Sequence, residues 1–128
     1  MNIEESQKDL LTERVIGCAI EVHKHLGPGL LESSYEGCLL KELQLEGVEA
    51  LNQVDLPVSY KGLDLAVGYR LDILIPNQLI IEIKAVDKLA PIHTAQLLTY
   101  LKLTGIKTGL LMNFNTAKLA EGIKRVSL

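Results

Sequence analysis

The sequence predicts an α/β fold with the element order ααβββαβ and a short C-terminal strand. Three observations carry that prediction. Two helical periodicities open the chain, a β-branched apolar run occupies its middle, and Pro91 and Gly105 bracket a third helix.

Residues 9–26 repeat Leu11, Val15, Cys18, Val22 and Leu26 at spacings of three and four, with Glu13, Glu21 and Lys24 on other faces. This is the pattern of an amphipathic helix. Gly27-Pro28-Gly29 breaks it. A second helix from about Leu30 carries Leu31, Tyr35, Cys38, Leu39 and Leu43 and ends near Gly47, a residue suited to the left-handed position after a helix. Two strands, about 53–60 and 63–75, are expected to join at Lys61-Gly62. Pro57 has no amide proton for a ladder, so the first should be an edge or bulged strand. Leu79-Ile80-Ile81-Glu82-Ile83-Lys84-Ala85-Val86 reads as a central strand buried on both faces. Pro91 opens a helix of about 91–104, stopped by Gly105. Leu110–Phe114 reads as a strand, then come a helical turn and a last strand around Ile123–Leu128. Residues 1–8 are expected to be a flexible N-terminus and 9–128 a single domain.

Of the 128 residues, 48% are apolar and 23% charged, which excludes disordered, collagen-like and coiled-coil readings. Aromatic residues supply only 4%, so the core is expected to be Leu, Ile and Val. No stretch approaches the ~20 apolar residues that cross a bilayer, and no membrane role is expected. The N-terminus is polar and acidic, unlike a signal peptide. Cys18 and Cys38 lack a CxxC or His partner spacing, which leaves them as buried free thiols in a reducing compartment. The protein is therefore expected in the cytoplasm.

The net charge of −3 hides an asymmetry. Residues 1–83 hold six basic and fourteen acidic side chains, a net of −8, whereas residues 84–128 hold seven and two, a net of +5. The acidic whole argues against an electrostatic nucleic-acid binder, yet the basic part could meet a phosphate backbone. The plainer alternative is that these lysines are solvated helix and strand edges.

The chemistry lies where charges enter strands. Glu82 and Lys84, two apart, share one strand face, and a central strand seldom spends two ionisable groups on one face because burial without partners is costly. Asp72 stands on the preceding strand. A two-residue loop, Pro76-Asn77, would set Asp72 opposite Ile81. A three-residue loop, Pro76-Asn77-Gln78, would set it opposite Glu82. Two carboxylates forced together generally need a cation, and oxygen donors suit Mg²⁺ or Mn²⁺. Lys84 would then hold an attacking water or a phosphoryl oxygen. The alternative is an exposed Glu/Lys face on an antiparallel strand. Glu32 and Tyr35 follow one another along the second helix, and Glu32 alone reads as an acid favoured by the helix dipole. His93, Gln96 and Tyr100 line one stripe of the third helix. None of the three His reads as a metal ligand.

Gly29-Leu30-Leu31-Glu32-Ser33-Ser34-Tyr35, Tyr69-Arg70-Leu71-Asp72, Glu82-Ile83-Lys84-Ala85 and Ala95-Gln96-Leu97-Leu98-Thr99-Tyr100-Leu101 together give a pattern running from about Leu10 to the C-terminus. In it the chain resembles the GxxExxY family, a branch of the PD-(D/E)XK nuclease-like superfamily. The resemblance implies a restriction-endonuclease-like core, a mixed sheet flanked by helices. It further implies a Mg²⁺ or Mn²⁺ held by Asp72, Glu82 and the Ile83 carbonyl, with Lys84 orienting or activating water. Glu32 would match the acid of the first core helix and Gln96 its helix polar residue, so that Glu32, Asp72, Glu82, Lys84 and Gln96 are the implied catalytic set. Tyr35 and Tyr100 look like substrate-contacting or site-shaping residues. Leu71 departs from the superfamily's Pro before the Asp, a turn feature rather than a ligand. The implied function is a metal-dependent nuclease acting on DNA or RNA, as a homodimer where two strands are cut. The alternatives are a non-catalytic module of the same fold that binds nucleic acid or protein, and a nuclease for a small or modified substrate.

Overall fold

The computed structural model describes residues 3–66 and 68–128, with side chains from Leu10 onward. Helix α1 (Ile3–Leu26) buries Val15, Cys18, Ala19 and Val22 on one stripe, as the periodicity requires. It begins before residue 9, so residues 3–8 of the segment expected to be flexible are helical, and Met1 and Asn2 lie outside the described residues.

Helix α2 (Glu32–Leu45) buries Tyr35, Leu39 and Leu43. Cys38 is one position off that stripe and is exposed, which corrects the expectation of two buried thiols; Cys18 is buried, and both are free. Gly47, at φ 72°, donates to the Gln44 carbonyl while Val48 donates to that of Leu43. These two bonds close the helix around a left-handed residue.

Four strands stand where two were expected: β1 (Leu51–Asp55), β2 (Val58–Tyr60), β3 (Leu63–Leu65) and β4 (Arg70–Ile75). Pro57 ends β1, and β2 and β3 form their own two-stranded sheet. Its tip is Lys61-Gly62, both with positive φ, as a tight hairpin requires. β1 pairs instead with β4, and the Leu56 amide donates to the Tyr69 carbonyl at the base of the small hairpin.

The main sheet adds β5 (Leu79–Lys84), β6 (Thr108–Asn113) and β7 (Ile123–Ser127) in the order β1-β4-β5-β6-β7. β5 is antiparallel to β4 and parallel to β6, so the sheet is mixed. Helix α3 (Pro91–Thr104) makes the crossover between the two parallel strands, and a 3₁₀ turn at Leu119–Gly122 leads into β7.

The sheet has a core on each face. Helices α1 and α2 cover one face, against Ile73, Ile81, Ile83 and Met112. α3 covers the other, where Leu97, Tyr100 and Leu101 meet Leu71, Ile80 and Leu111. A Cβ on Gly109 of β6 would come within 2.9 Å of the Leu97 side chain, so α3 depends on a glycine to lie this close. Glu82 is two residues from Ile80 and faces the α3 side.

Candidate metal and phosphodiester site

The loop Pro76-Asn77-Gln78 fixes the site. Asn77 takes a left-handed φ of 64°, a conformation Asn tolerates better than most residues, and the Gln78 amide donates to the Ile75 carbonyl at 3.0 Å. Ile75 consequently pairs with Leu79, Leu74 with Ile80 and Ile73 with Ile81. This is the three-residue-loop register, and the next opposed pair in it is Asp72 and Glu82.

Regular pairing between β4 and β5 stops there. The Ile83 amide donates to Asp72 Oδ2 at 2.9 Å, and the Asp72 amide donates to Glu82 Oε1 at 3.3 Å. Each carboxylate thus accepts a main-chain proton at the point where the two strands part. Leu71 and Ile73, two apart, belong to opposite cores, so β4 turns over at Asp72 itself.

Glu82 is only 5% exposed. Burial, the Asp72 charge and a hydrogen bond with the Asp72 side chain push its carboxyl up to about 9. The Asp72 amide and the Lys84 ammonium act in the opposite direction without prevailing. Two oxygen-donor groups thus face each other in a largely dry place, with one charge more than it readily holds. The donor set suits a small hard cation, since Mg²⁺ commonly takes one or two carboxylates and keeps its remaining waters. In a strand, one residue's N–H and C=O face the same edge. The Ile83 carbonyl therefore faces β4, as its amide does, on the Asp72 side. Among the described residues no group of three or more His, Cys, Asp or Glu converges, so protein carboxylates alone would supply two ligands.

The other expected residues are distributed around this pair. Lys84 is half-buried at the end of β5, close enough to act on the Glu82 carboxyl. Glu32, exposed at the start of α2, accepts the Ala85 amide at 3.4 Å, one residue beyond Lys84, and does not join the carboxylate pair. Tyr100 is 6% exposed on α3, and burial followed by the Glu82 and Asp72 charges raises its phenol above the ordinary value. Gln96, one turn earlier on α3, is exposed, and no described hydrogen bond ties it to the carboxylates.

Tyr35 is placed otherwise. It is fully buried, stacked on Phe114 with ring centroids 4.5 Å apart. Its hydroxyl donates to the Gly27 carbonyl at 2.6 Å and accepts the Leu30 amide at 3.1 Å. The buried ring and these two hydroxyl bonds tie Tyr35 to the loop that leads into Glu32. His93 is also committed, its Nδ1 accepting the Ala90 amide at the start of α3.

Three residues of the neighbourhood carry no signal in the sequence. Gln53 of β1 donates its side-chain amide to Glu36 Oε1 at 2.8 Å and to Asp72 Oδ1 at 3.4 Å. Glu36, on α2, has its carboxyl raised chiefly by burial, with Asp72 and Glu32 adding to the shift. Asn113, 2% exposed, bonds both the amide and the carbonyl of Val86, holding the chain just beyond Lys84. A polar residue on a strand is too common for its spacing to have singled these out.

A family model described as PD-(D/E)XK nuclease superfamily matches residues 9–126, nearly the whole chain. The chain belongs to the PD-(D/E)XK nuclease superfamily. The three helices and mixed five-stranded sheet agree with the restriction-endonuclease-like fold expected of that superfamily. The crystal structure of SSO0001 is similar at 21% identity and a TM-score of 0.48, over 91% of this chain and 77% of that one. No curated protein matches. Superfamily membership agrees with a nuclease-type fold, and no helix among the described residues is long and apolar enough to cross a membrane.

Proposed function

We propose that this chain is a divalent-metal-dependent nuclease that hydrolyses phosphodiester bonds in nucleic acid, a member of the GxxExxY branch of its superfamily. The opposition of Asp72 and Glu82, with Lys84 on the same strand, carries this reading. Asp72, Glu82 and the Ile83 carbonyl would hold Mg²⁺ or Mn²⁺. Such an ion supplies charge neutralisation at a scissile phosphate and lowers the pKa of water.

The chain's own groups do the rest. The Lys84 ammonium orients the attacking water and offsets charge developing on the phosphoryl oxygens. Asn113 fixes the segment that follows Lys84, so the ammonium works from a held backbone. Glu32, exposed at the start of α2, and Gln96, exposed on α3, would contribute from outside the carboxylate pair. Tyr100 walls the carboxylates on the α3 side and limits water there. The exposed Lys102, Lys107, Lys118 and Lys124 offer a sequence-independent attraction for a phosphate backbone. In this reading the protein works in the cytoplasm, on DNA or RNA, and dimerises where both strands are cut.

Calorimetric titration of Mn²⁺ tests the reading. Saturable binding to the wild type, lost in both Asp72→Asn and Glu82→Gln, is expected, followed by cleavage of single- or double-stranded nucleic acid that those variants do not perform. One observation favours a second reading, a non-catalytic module of the same fold. Both carboxylates already accept protein donors: the Ile83 amide and the Gln53 side chain on Asp72, and the Asp72 amide on Glu82. A folded wild type that neither binds Mn²⁺ nor cleaves nucleic acid would select that module.

A further inference from the structure

Gln53 stands out twice. It lies in the middle of β1, yet its φ is 50°, in the left-handed region that a non-glycine residue rarely adopts within a strand. The β1–β4 ladder pairs Asn52 with Ile73 and Val54 with Leu71, and the position between them, Gln53 against Asp72, is not paired. The kink in β1 therefore falls opposite the residue at which β4 turns over. Glycine would take this conformation without strain, but glycine has no side chain to offer.

The side chain offered here is a bridge. The Gln53 amide nitrogen reaches Glu36 on α2 and Asp72 on β4, at 2.8 and 3.4 Å. Asp72 Oδ2 is already engaged by the Ile83 amide. With Gln53 on Oδ1, both oxygens of that carboxylate have a protein partner, and its plane is set from two directions. We infer that Gln53 is a positioning residue for Asp72, with Glu36 as its anchor. It spends backbone strain in β1 to orient the carboxylate for a divalent cation. Groups that hydrogen-bond a metal ligand commonly change metal affinity by about 10- to 100-fold when removed. The inference rests on the reading of Asp72 as a metal ligand.

The test uses the conflict between backbone and side chain. Gln53→Gly relieves the left-handed φ and deletes the amide. Its unfolding midpoint should equal or exceed that of the wild type, while Mn²⁺ binds about tenfold more weakly or worse by calorimetry. A purely structural residue would show the first effect without the second. Gln53→Asn, which tolerates the same φ but falls a methylene short of the bridge, should also weaken Mn²⁺ binding and decides the matter if the glycine variant does not fold. Wild-type Mn²⁺ affinity in a folded Gln53→Gly or Gln53→Asn overturns the assignment alone. Absence of Mn²⁺ binding in the wild type overturns both the assignment and the metal-site reading beneath it.

Discussion

Asp72 and Glu82 hold one another across the parting of β4 and β5. Glu82 accepts the amide of Asp72, and Asp72 accepts the amide of Ile83, the residue after Glu82. Burial and the Asp72 charge work against ionisation of Glu82 in this arrangement and push its carboxyl up to about 9.

That shift makes the stability of the protein without added metal sensitive to pH. The Glu82 carboxyl, ordinarily near 4.5, is pushed up to about 9 in the folded state. Between those values the folded chain binds a proton that the unfolded chain has lost, so stability is full at low pH and falls as pH rises. The slope approaches about 1.4 kcal/mol per pH unit within that window. Urea unfolding from about pH 5 to about pH 9 should show it, and Glu82→Gln should flatten it. A wild-type profile as flat as that of the variant would mean that Glu82 is already ionised.

In the proposed mechanism Lys84 separates binding from chemistry. Lys84→Met removes the ammonium but no carboxylate, so Mn²⁺ binding should persist while cleavage falls by about 100-fold or more. Single-turnover rates on a labelled oligonucleotide measure the effect. Undiminished cleavage would remove Lys84 from the mechanism.

Tyr35 is expected to act on stability first. Tyr35→Phe keeps the stack on Phe114 and deletes the hydroxyl that joins Gly27 to Leu30. The loss should be about 1–2 kcal/mol in chemical denaturation, with Mn²⁺ affinity close to wild type. A stable variant that loses only activity would instead return Tyr35 to the substrate side.

Asn113 is a larger structural commitment. Its side chain accepts the amides of Val86 and Asn115 and donates to the Val86 carbonyl from a buried position. Asn113→Ala should cost about 1–3 kcal/mol by leaving main-chain groups of the loop without partners. Amide hydrogen exchange at Val86 should accelerate in parallel. Unchanged protection there would show that water replaces the side chain at little cost.

Much of the fold is legible along the chain because its signals are local. Pro91 and Gly105 bound α3 through their own backbone constraints, and the run from Leu79 marks β5 as central because no other placement hides so many β-branched side chains. Pro57 gives the same kind of information: β1 is an edge strand of the main sheet, as expected, but Pro57 also breaks the expected strand into two. Asp72, Glu82 and Lys84 were visible as charges in strands that should not carry them.

What the sequence alone determined, then, is the three helices, the central strand and the stretches on which the acids lie, since φ restrictions and hydrophobic alternation act within a few residues. The tertiary structure decided register, contact and role. A left-handed Asn77 chose the alignment in which Asp72 meets Glu82, packing against Phe114 buried Tyr35, and a kink in β1 brought Gln53 and Glu36 to Asp72. These depend on groups far apart in the chain, where energies are set by burial and by who supplies each hydrogen bond, and no local pattern records either.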